Sequence, residues 1–485
     1  KSYVDFPIMP KHPREEDKVD QKKDSIDDPE TVLVHPSIAE GAVSVPGSKS
    51  ISNRVLLLAA LGNGKCKVSG LLHSDDTEVM LLALKKMGVQ YSWNDTKEVL
   101  SIQGSGGKLS LPDSELYMKN AGTATRFLST AVNLIQEKGS VVVTGNERMK
   151  VRPIADLVDA LKATGCDIEY KEGKGCPPIL VTTTPNGWKG GEIVLAANVS
   201  SQYVSSILIS ASYAREPVTL RLDDRGEGVC SRPYIDITID LLKKFGIDIK
   251  EEGQNVFRVG NKGFENKSDW YVEGDASSAS YPLALAAVTG GKVTVNNCGN
   301  ESIQGDAAFC RILEKMGCSV QQTEGTTTVT GPKDYKLKAI EGDVDMDSMT
   351  DLFMTLAAVA AVSDGTTRIV NIANQRVKEC NRIEAMVQEL TKLEVKCKEL
   401  ETGIEITGNP ALRNRSKDKI VFIDPRDDHR LAMSFAVVGA AMPGIAITEK
   451  SCVNKTYPTF WAHAQSLGLN VKAGGTAVKK QKTSK

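Results

Sequence analysis

The chain repeats one helical motif six times along its 485 residues. In each copy apolar residues recur at helical spacing, and in five copies a glycine ends the helix before apolar residues alternate as in a strand. Glu394 takes the place of that glycine in the fifth copy. Successive copies lie roughly 75 residues apart, which is the period of a supersecondary unit. The copies are Leu81–Tyr91, Leu157–Tyr170, Thr238–Lys250, Cys310–Gln322, Met386–Glu399 and His463–Lys472.

A second set of six segments recurs in phase with the first. Each begins with small or polar residues and continues as an Ala- and Leu-rich run, which predicts an N-cap followed by a buried helix. Short alternating runs between them predict strands. We therefore predict an α/β fold of six strand–helix–strand–helix–strand–strand units, in two groups of three that divide near Asp269–Gly274. The buried helices are predicted within Gly47–Leu61, Asn120–Val132, Asn198–Ala211, Gly274–Val288, Met346–Ala361 and Arg426–Ala441.

Length and charge limit the class of protein. A chain of this length exceeds one hydrophobic core and predicts at least two domains. Its 60 basic and 61 acidic residues give a formal net charge of −1, which disfavours nucleic acid or an anionic membrane as a partner. The most apolar stretch, Ala432–Ile447, contains Ser434, Gly439 and Pro443 and is shorter than the ~20 residues of a membrane helix. No membrane span is predicted.

Cysteine and histidine usage predicts neither disulfides nor a metal. The ten cysteines are dispersed without a CxxC pair, and the five histidines form no HExxH motif. Dispersed thiols are typical of the reducing cytosol, and no signal peptide is recognisable, so we predict a cytoplasmic protein. The polar ends, residues 1–31 and 474–485, are predicted to be flexible tails or linkers. Because residue 1 is Lys and not Met, the chain is expected to derive from a longer polypeptide.

Basic residues cluster where the buried helices are predicted to begin. Free N–H groups and the helix dipole make such ends favourable for anions. Each cluster taken alone is also consistent with solvated surface charge. The basic residues concerned are Lys49, Arg54, Arg126, Arg148, Lys150, Arg152, Arg232, Arg376, Lys378, Arg382, Arg430 and Lys455.

Carboxylates complete these clusters in the second half of the chain. Asp351 lies just inside a predicted apolar helix, where an unpaired charge costs stability, and Glu379 lies among cations. Ser200–Tyr203 offers hydroxyls and an amide for a phosphate or a polyol, although capping alone also explains Ser200. The sequence contains no Walker loop or dinucleotide fingerprint, so neither ATP nor NAD is implied. Together the clusters predict small polyanionic substrates bound between two domains, without a cofactor.

The order of these motifs resembles that of the 5-enolpyruvylshikimate-3-phosphate synthases. The resemblance extends from about Val32 to Val471. The segments HSDDT and NQRVKECNR are most similar to those of the synthase domain of the fungal pentafunctional AROM polypeptide. The other domains of that polypeptide would then be partners. The motifs that carry the resemblance are PGSKSISNR, NAGTATRFL, RMKVRPI, VSSQY, DASSASYPL, RVKECNR, DDHRLAM and KTYP.

The resemblance implies both a fold and a reaction. The fold is the enolpyruvyl transferase fold, a two-domain inside-out α/β barrel with three βαβαββ units per domain. Residues 46–270 would form the first domain, and residues 32–45 with 271–473 the second. The reaction is transfer of the enolpyruvyl group of phosphoenolpyruvate to the 5-hydroxyl of shikimate 3-phosphate. This step belongs to the shikimate pathway, which leads to chorismate and the aromatic amino acids.

Roles for individual residues are implied by the same resemblance. Asp351 would be the base for the hydroxyl, and Glu379 and Lys49 would exchange the proton at C3 of the enol. Cys452, close to Lys455, is a candidate active-site thiol, with an ordinary packing role as the alternative. Ligands of shikimate 3-phosphate would be Lys49, Ser50, Arg54, Ser200, Ser201, Gln202, Ser231, Tyr234, Asp351, Asn374 and Lys378. Ligands of phosphoenolpyruvate would be Lys49, Gly122, Arg148, Gln202, Arg382, Arg430 and Lys455.

Two positions depart from the family pattern. Lys119 precedes NAGTATR where the family usually has Gly, and Phe127 stands where many members have Pro. The family is the target of the herbicide glyphosate, but these departures leave the sensitivity of this chain open.

Two alternatives remain at the level of sequence. The enolpyruvyl transferase that acts on UDP-N-acetylglucosamine shares the repeat fold, but its loop normally carries a reactive Cys, whereas Gly145–Ile154 has none and Lys49 is followed by Ser50. A non-catalytic module that binds small anions is the alternative from another class. The intact Lys49, Asp351, Glu379 and Lys455 argue against it.

Overall fold

The computed structural model describes residues 24–223, 225–226, 228–253 and 255–474. Of the tails predicted at residues 1–31 and 474–485, residues 1–23 and 475–485 lie outside these ranges. The remaining part of the first predicted tail contacts the body of the protein, since Glu30 accepts a hydrogen bond from the amide of Lys450 at 2.9 Å. Thr31 is buried.

The described residues form 24 strands and 12 α-helices in alternating blocks. The helices are α1 Lys49–Leu61, α2 Asp75–Lys86, α3 Gly122–Ala131, α4 Ala155–Ala163, α5 Ser201–Ser210, α6 Arg232–Lys244, α7 Ala276–Thr289, α8 Phe309–Lys315, α9 Phe353–Ala361, α10 Arg382–Lys392, α11 His429–Ala441 and α12 Phe460–Ser466. The strands are β1 Val32–His35, β2 Glu40–Val43, β3 Asn63–Ser69, β4 Gln90–Trp93, β5 Val99–Ser105, β6 Leu116–Tyr117, β7 Gly139–Thr144, β8 Asp167–Tyr170, β9 Ile179–Thr183, β10 Gly190–Ala196, β11 Glu216–Asp223, β12 Ile249–Glu251, β13 Val256–Val259, β14 Asp269–Tyr271, β15 Lys292–Val295, β16 Ser319–Gln322, β17 Thr327–Thr330, β18 Asp343–Asp345, β19 Thr366–Val370, β20 Lys396–Glu399, β21 Ile404–Thr407, β22 Val421–Ile423, β23 Ile445–Ile447 and β24 Asn470–Ala473.

The strands pair into six four-stranded sheets of one repeated design. In the unit β10–α5–β11–α6–β12–β13, the first two strands are parallel because a helix crosses between them, and the other pairs are antiparallel. The predicted α/β repeat is thereby confirmed. In spatial order the sheets are β14-β3-β5-β4, β6-β7-β9-β8, β10-β11-β13-β12, β2-β15-β17-β16, β18-β19-β21-β20 and β22-β23-β1-β24.

Three sheets take a strand from a distant part of the chain. β14 pairs in parallel with β3, which closes the first half of the chain on its own first unit. β2 pairs in parallel with β15, and β1 lies between β23 and β24. Residues 32–43 therefore complete two sheets of the second half.

Six helices form the interior, because small and branched apolar residues cover all of their faces. Every residue of α3, α7, α9 and α11 is buried, and α1 and α5 are buried beyond their first turns. α7, α9 and α11 contact one another, as do α1, α3 and α5. The buried apolar residues fall into two clusters, one within residues 51–272 and one within residues 32–45 and 276–469.

The six amphipathic helices end in a shared backbone conformation. The second residue after the helix has a positive φ of 80–108° at Gly88, Gly165, Gly246, Gly317 and Gly468, which suits glycine because it has no Cβ. Glu394 adopts the same left-handed region, at φ 64°, in the fifth copy. Within the described residues, no helix combines the length and apolarity needed to cross a membrane.

Candidate active site

The starts of the buried helices from both halves surround one polar cavity of about 310 Å³. Lys49 begins α1, Gly122 begins α3, and Gln202 lies in the first turn of α5. These residues from the first half face Asp351 and Glu379 from the second. The cavity is lined by Lys49, Asp76, Gly122, Thr123, Arg152, Gln202, Asp351, Lys378, Glu379 and Arg382.

Asp351 is held by two arginines. Its carboxylate contacts Arg382 Nη1 at 3.2 Å and Arg430 Nη2 at 3.0 Å. Burial favours the neutral acid, but the surrounding positive charges, that of Arg430 first, lower the pKa of Asp351 below its ordinary value. The carboxylate is therefore ionised at neutral pH and can accept a hydrogen bond or a proton from a hydroxyl group.

The backbone around Asp351 differs from the prediction. The sequence predicted Asp351 inside the buried helix, but it lies in a 3₁₀ segment, Asp347–Leu352, and α9 begins only at Phe353. Met349 in this segment departs from helical geometry, with φ −146° and ψ 47°. The carboxylate consequently lies before the first turn of α9.

Glu379 is the second buried carboxylate. It contacts Arg382 Nη2 at 2.8 Å and Lys455 Nζ at 2.9 Å. Burial would raise the pKa of Glu379, but the charges of these two partners hold it well below its ordinary value. Arg382 also binds Asp428 at 2.7 Å. Because the same guanidinium contacts both Asp351 and Glu379, it orients both cavity carboxylates.

Two lysines of the cavity differ in their surroundings. Among the described residues, the ammonium of Lys49 has no hydrogen-bonded or ion-paired partner, which leaves it available to a bound anion. Its charge contributes to the lowered pKa of Asp351. The pKa of Lys378 is lowered by burial, although the charge of Asp351 opposes the shift.

Arg152, Asp76 and Thr123 line the cavity but were not predicted as ligands. Arg152 is buried and donates to Asn120 Oδ1 at 3.2 Å, while its Nε has no partner within the described part of the chain. The available signal was the run of three cations in Gly145–Ile154. Gly122 lies against the guanidinium of Arg152, since a Cβ added to Gly122 would be 2.6 Å from Arg152 Nη2.

Arg148 and Lys455 bridge the two halves of the chain. Arg148 Nη2 donates to the carbonyl oxygen of Lys378 at 2.5 Å. Burial lowers the pKa of Arg148. Lys455 Nζ donates to the carbonyl oxygen of Asn120 at 3.1 Å. Arg148 is not among the residues that line the cavity.

The residues predicted for shikimate 3-phosphate do not all line this cavity. Ser50 and Tyr234 line a neighbouring cavity of about 220 Å³. Asn374 donates to Ser231 Oγ at 3.2 Å across the two halves. Ser200 caps α5 by accepting from the amide of Gln202 at 3.3 Å, and Ser201 begins the helix.

Arg54 is the predicted ligand most engaged by the protein itself. It is buried and donates to Ser205 Oγ at 2.9 Å, Thr238 Oγ1 at 2.7 Å and the carbonyl oxygens of Ser50 and Tyr234. These bonds connect α1 with α5 and α6. Burial lowers the pKa of Arg54 to about 10.

Cys452 lines a different cavity, of about 1100 Å³, together with Asp427, Glu449 and Lys455. Burial first, and then the acidic neighbours, raise the pKa of its thiol. The thiol is therefore protonated, which is the unreactive form of cysteine. The described residues contain no group of three or more His, Cys, Asp or Glu side chains arranged to hold a metal ion.

The two departures from the family pattern have local explanations. Lys119 has φ 48°, a left-handed conformation that explains why glycine is usual there, and its ammonium contacts exposed Asp75 at 3.0 Å. Phe127 is buried inside α3, and the Arg54 guanidinium lies 5.3 Å from the centre of its ring.

Comparison with protein families supports a single assignment. A family model described as EPSP synthase (3-phosphoshikimate 1-carboxyvinyltransferase) matches residues 35–463. The chain is 49% identical over 450 residues to the pentafunctional AROM polypeptide of Schizosaccharomyces pombe. That match covers 90% of this chain and 28% of the relative, so the chain spans less than a third of the relative's length.

Solved structures give the same result. Two structures of EPSP synthase from Acinetobacter baumannii superpose with TM-scores of 0.73 and 0.71, each at 28% sequence identity. Each match covers 91% of this chain and 99% of the other. The predicted enolpyruvyl transferase fold is confirmed.

Proposed function

Because the chain belongs to the EPSP synthase (3-phosphoshikimate 1-carboxyvinyltransferase) family, we propose that its central cavity transfers the enolpyruvyl group of phosphoenolpyruvate to the 5-hydroxyl of shikimate 3-phosphate. Membership in this family makes the chain a transferase of the shikimate pathway. The observation that carries the proposal is the convergence of two ionised carboxylates and cations from both halves on one cavity. The family match favours neither the UDP-N-acetylglucosamine transferase nor the non-catalytic module.

The first step is an addition. The ionised Asp351 takes the proton of the 5-hydroxyl while the oxygen of that hydroxyl attacks C2 of the enol. An acid delivers a proton to C3. Glu379 and Lys49 are the candidates for this acid, but the lowered pKa of Glu379 leaves it ionised, so it can deliver a proton only after it has first taken one up. A positioned acid or base contributes typically ~100- to 10,000-fold to the rate.

The second step is an elimination. C3 of the tetrahedral intermediate loses a proton to Glu379 or Lys49, the C–O bond to the phosphate breaks, and inorganic phosphate leaves with the bond's electron pair. Cations around the phosphate stabilise the charge that develops on it and orient both substrates. Lys49 and Arg152 have donors available for this purpose.

The remaining contacts follow the sequence prediction with one addition. For phosphoenolpyruvate we propose Lys49, Gly122, Arg148, Gln202, Arg382, Arg430 and Lys455, together with Arg152. For shikimate 3-phosphate we propose Lys49, Ser50, Arg54, Ser200, Ser201, Gln202, Ser231, Tyr234, Asp351, Asn374 and Lys378. Cys452 is not given a chemical role, because burial and, after it, the acidic neighbours raise the pKa of the thiol and keep it protonated.

Phosphate release from phosphoenolpyruvate tests the function. We expect release that depends on shikimate 3-phosphate, is absent with UDP-N-acetylglucosamine, and falls by at least ~100-fold in Asp351→Ala. Asp343→Ala, which removes a surface carboxylate paired with Arg368, is the matched control and should retain activity. A folded wild-type protein that releases no phosphate with either acceptor would leave the anion-binding module as the better explanation.

Hydrogen exchange tests the role of Glu379. In D₂O with both substrates, the wild type is expected to place deuterium at C3 of phosphoenolpyruvate through the reversible first step. Glu379→Gln should slow this exchange by at least ~100-fold, since the carboxylate that moves the proton is gone. Unchanged exchange in this variant would assign the proton transfer to Lys49.

We also propose that the two buried clusters are two globular domains, residues 46–270 and residues 32–45 with 271–473. The separation of the clusters and the sheets completed by β1, β2 and β14 support these boundaries. A cytoplasmic location is supported by ten cysteines that form no disulfide. The match to an AROM polypeptide supports other AROM domains as partners.

A further inference from the structure

Asp306 is a buried carboxylic acid that the reaction described above does not use. It lies in the short 3₁₀ segment Gly305–Ala308 that precedes α8, and 5% of its surface is exposed. It lines the cavity of about 220 Å³ that also contains Ser50 and Tyr234, two of the proposed ligands of shikimate 3-phosphate.

Two hydroxyl groups converge on one oxygen of Asp306. Ser277 Oγ donates to Oδ2 at 2.5 Å, and the Tyr234 hydroxyl donates to the same oxygen at 3.2 Å. Among the described residues, no lysine, arginine or histidine forms an ion pair with Asp306. Burial accordingly raises its pKa to about 7. A buried acid without a cation is costly to keep, which favours a function for this one.

The contact with Tyr234 joins the two halves of the chain. Tyr234 lies in α6, whereas Asp306 and Ser277 belong to the second half. The backbones are close at this point, because a Cβ added to Gly305 would lie 3.0 Å from Pro233 Cβ. The orientation of the Tyr234 hydroxyl therefore depends on an acceptor that the opposite half supplies.

A tyrosine hydroxyl has one proton. The group that accepts this proton determines whether the tyrosine oxygen can donate to a ligand or only accept from it. When Tyr234 donates this proton to Asp306, its oxygen is left as an acceptor. In that state Tyr234 binds a hydroxyl group of a ligand, and it has no proton to offer a phosphate or a carboxylate.

We propose that Asp306 is a positioning residue that fixes the Tyr234 hydroxyl as a hydrogen-bond acceptor for a hydroxyl group of shikimate 3-phosphate. This inference rests on the proposed function. It makes Asp306 a determinant of acceptor specificity that acts through Tyr234 and does not contact the reacting atoms.

Kinetics of single and double variants test the inference. Asp306→Ala and Tyr234→Phe should each raise the KM for shikimate 3-phosphate about tenfold, because each removes one hydrogen-bonded arrangement. The kcat and the KM for phosphoenolpyruvate should change by less than about twofold. The double variant should be no worse than either single variant, since both changes remove the same interaction. Asp306→Asn, which keeps an acceptor oxygen, should restore most of the affinity.

The controls separate this inference from the proposed function. Glu301→Gln changes an exposed acid near the same segment and should leave both KM values unchanged; thermal unfolding checks each variant. If Asp306→Ala does not fold, Asp306→Val, which has a similar volume and no acceptor, replaces it. A wild type without activity on shikimate 3-phosphate defeats the proposed function itself. If the wild type is active, two results would contradict this inference. One is an unchanged KM for shikimate 3-phosphate in Asp306→Ala. The other is an equal rise in that KM when Asp306→Ala is added to Tyr234→Phe.

Discussion

At Gly122 the main chain leaves no space for a side chain beside Arg152. An added Cβ would lie 2.6 Å from Nη2 of that arginine, so Gly122→Ala must displace a guanidinium that lines the cavity. We expect the KM for phosphoenolpyruvate to rise about tenfold, as one charged contact is weakened, with a smaller effect on shikimate 3-phosphate. Steady-state kinetics with each substrate varied measure this. Gly173→Ala is the control, because no atom lies within 4 Å of its added Cβ; equal effects of the two substitutions would contradict the prediction.

Asp306 makes stability depend on pH. Burial raises its pKa from 3.8 to about 7 in the folded protein, so the folded state holds the proton more tightly than the unfolded state. The stabilisation is complete below about pH 4 and is lost as the pH rises to about 7, by up to about 4 kcal/mol. The charges of Asp351 and Asp275 act with burial, while Ser277 and Arg430 oppose it. Thermal unfolding at pH 5 and pH 8 should therefore show a larger loss for the wild type than for Asp306→Asn. Parallel curves would contradict this.

Single residues were the hardest part of the site to predict. The sequence predicted a cationic cluster in Gly145–Ile154, but did not show which cation reaches the cavity. A 3₁₀ turn, Met149–Val151, lies between Arg148 and Arg152, so the two side chains take different directions. Arg152 lines the cavity, and Arg148 binds the Lys378 carbonyl. Such directions depend on local backbone angles that residue types do not specify.

Among the helices, the fifth amphipathic copy departs from the repeat. Glu394 holds a left-handed conformation, φ 64°, that glycine adopts in the other five copies. Glu394→Gly should raise the thermal midpoint by about 1–2 °C, because it relieves the clash of Cβ in this conformation. The substitution also removes a surface contact with Lys419. Glu394→Ala removes the same contact and keeps the Cβ, so it should give no gain; a gain in Ala equal to that in Gly would show that backbone strain is not the cause.

The elements themselves were more predictable than their partners. Helical periodicity and a terminal glycine are local signals, and the copies from Leu81–Tyr91 to His463–Lys472 all correspond to a helix followed by a strand. Strand pairing across long sequence distance has no such local signal. The resemblance placed residues 32–45 with the second half, where β2 pairs with β15. The pairing of β14 with β3 was not predicted.

For the molecule as a whole, the cavity depends on contacts between the two halves. Asn374 binds Ser231, Lys455 binds the Asn120 carbonyl, and Asp306 binds Tyr234. The net charge of −1 shows nothing of this arrangement, because a sum over the whole chain does not say where the charges lie. The charged clusters at the predicted helix starts indicated the site. The distances between these clusters could not be predicted from the sequence, because they depend on how the chain folds.

The pairing of β1 with β24 brings the two ends of the described chain together. Val32 lies opposite Ala473, and the amide of Gly474 donates to the Thr31 carbonyl at 2.8 Å. A circular permutant that joins Gly474 to Asp24 by a short flexible linker, and opens at the exposed Gly173, should therefore fold and retain transferase activity. Circular dichroism, thermal unfolding and phosphate release measure this. A permutant that fails to fold would mean that chain order, beyond the contacts themselves, is needed to reach this structure.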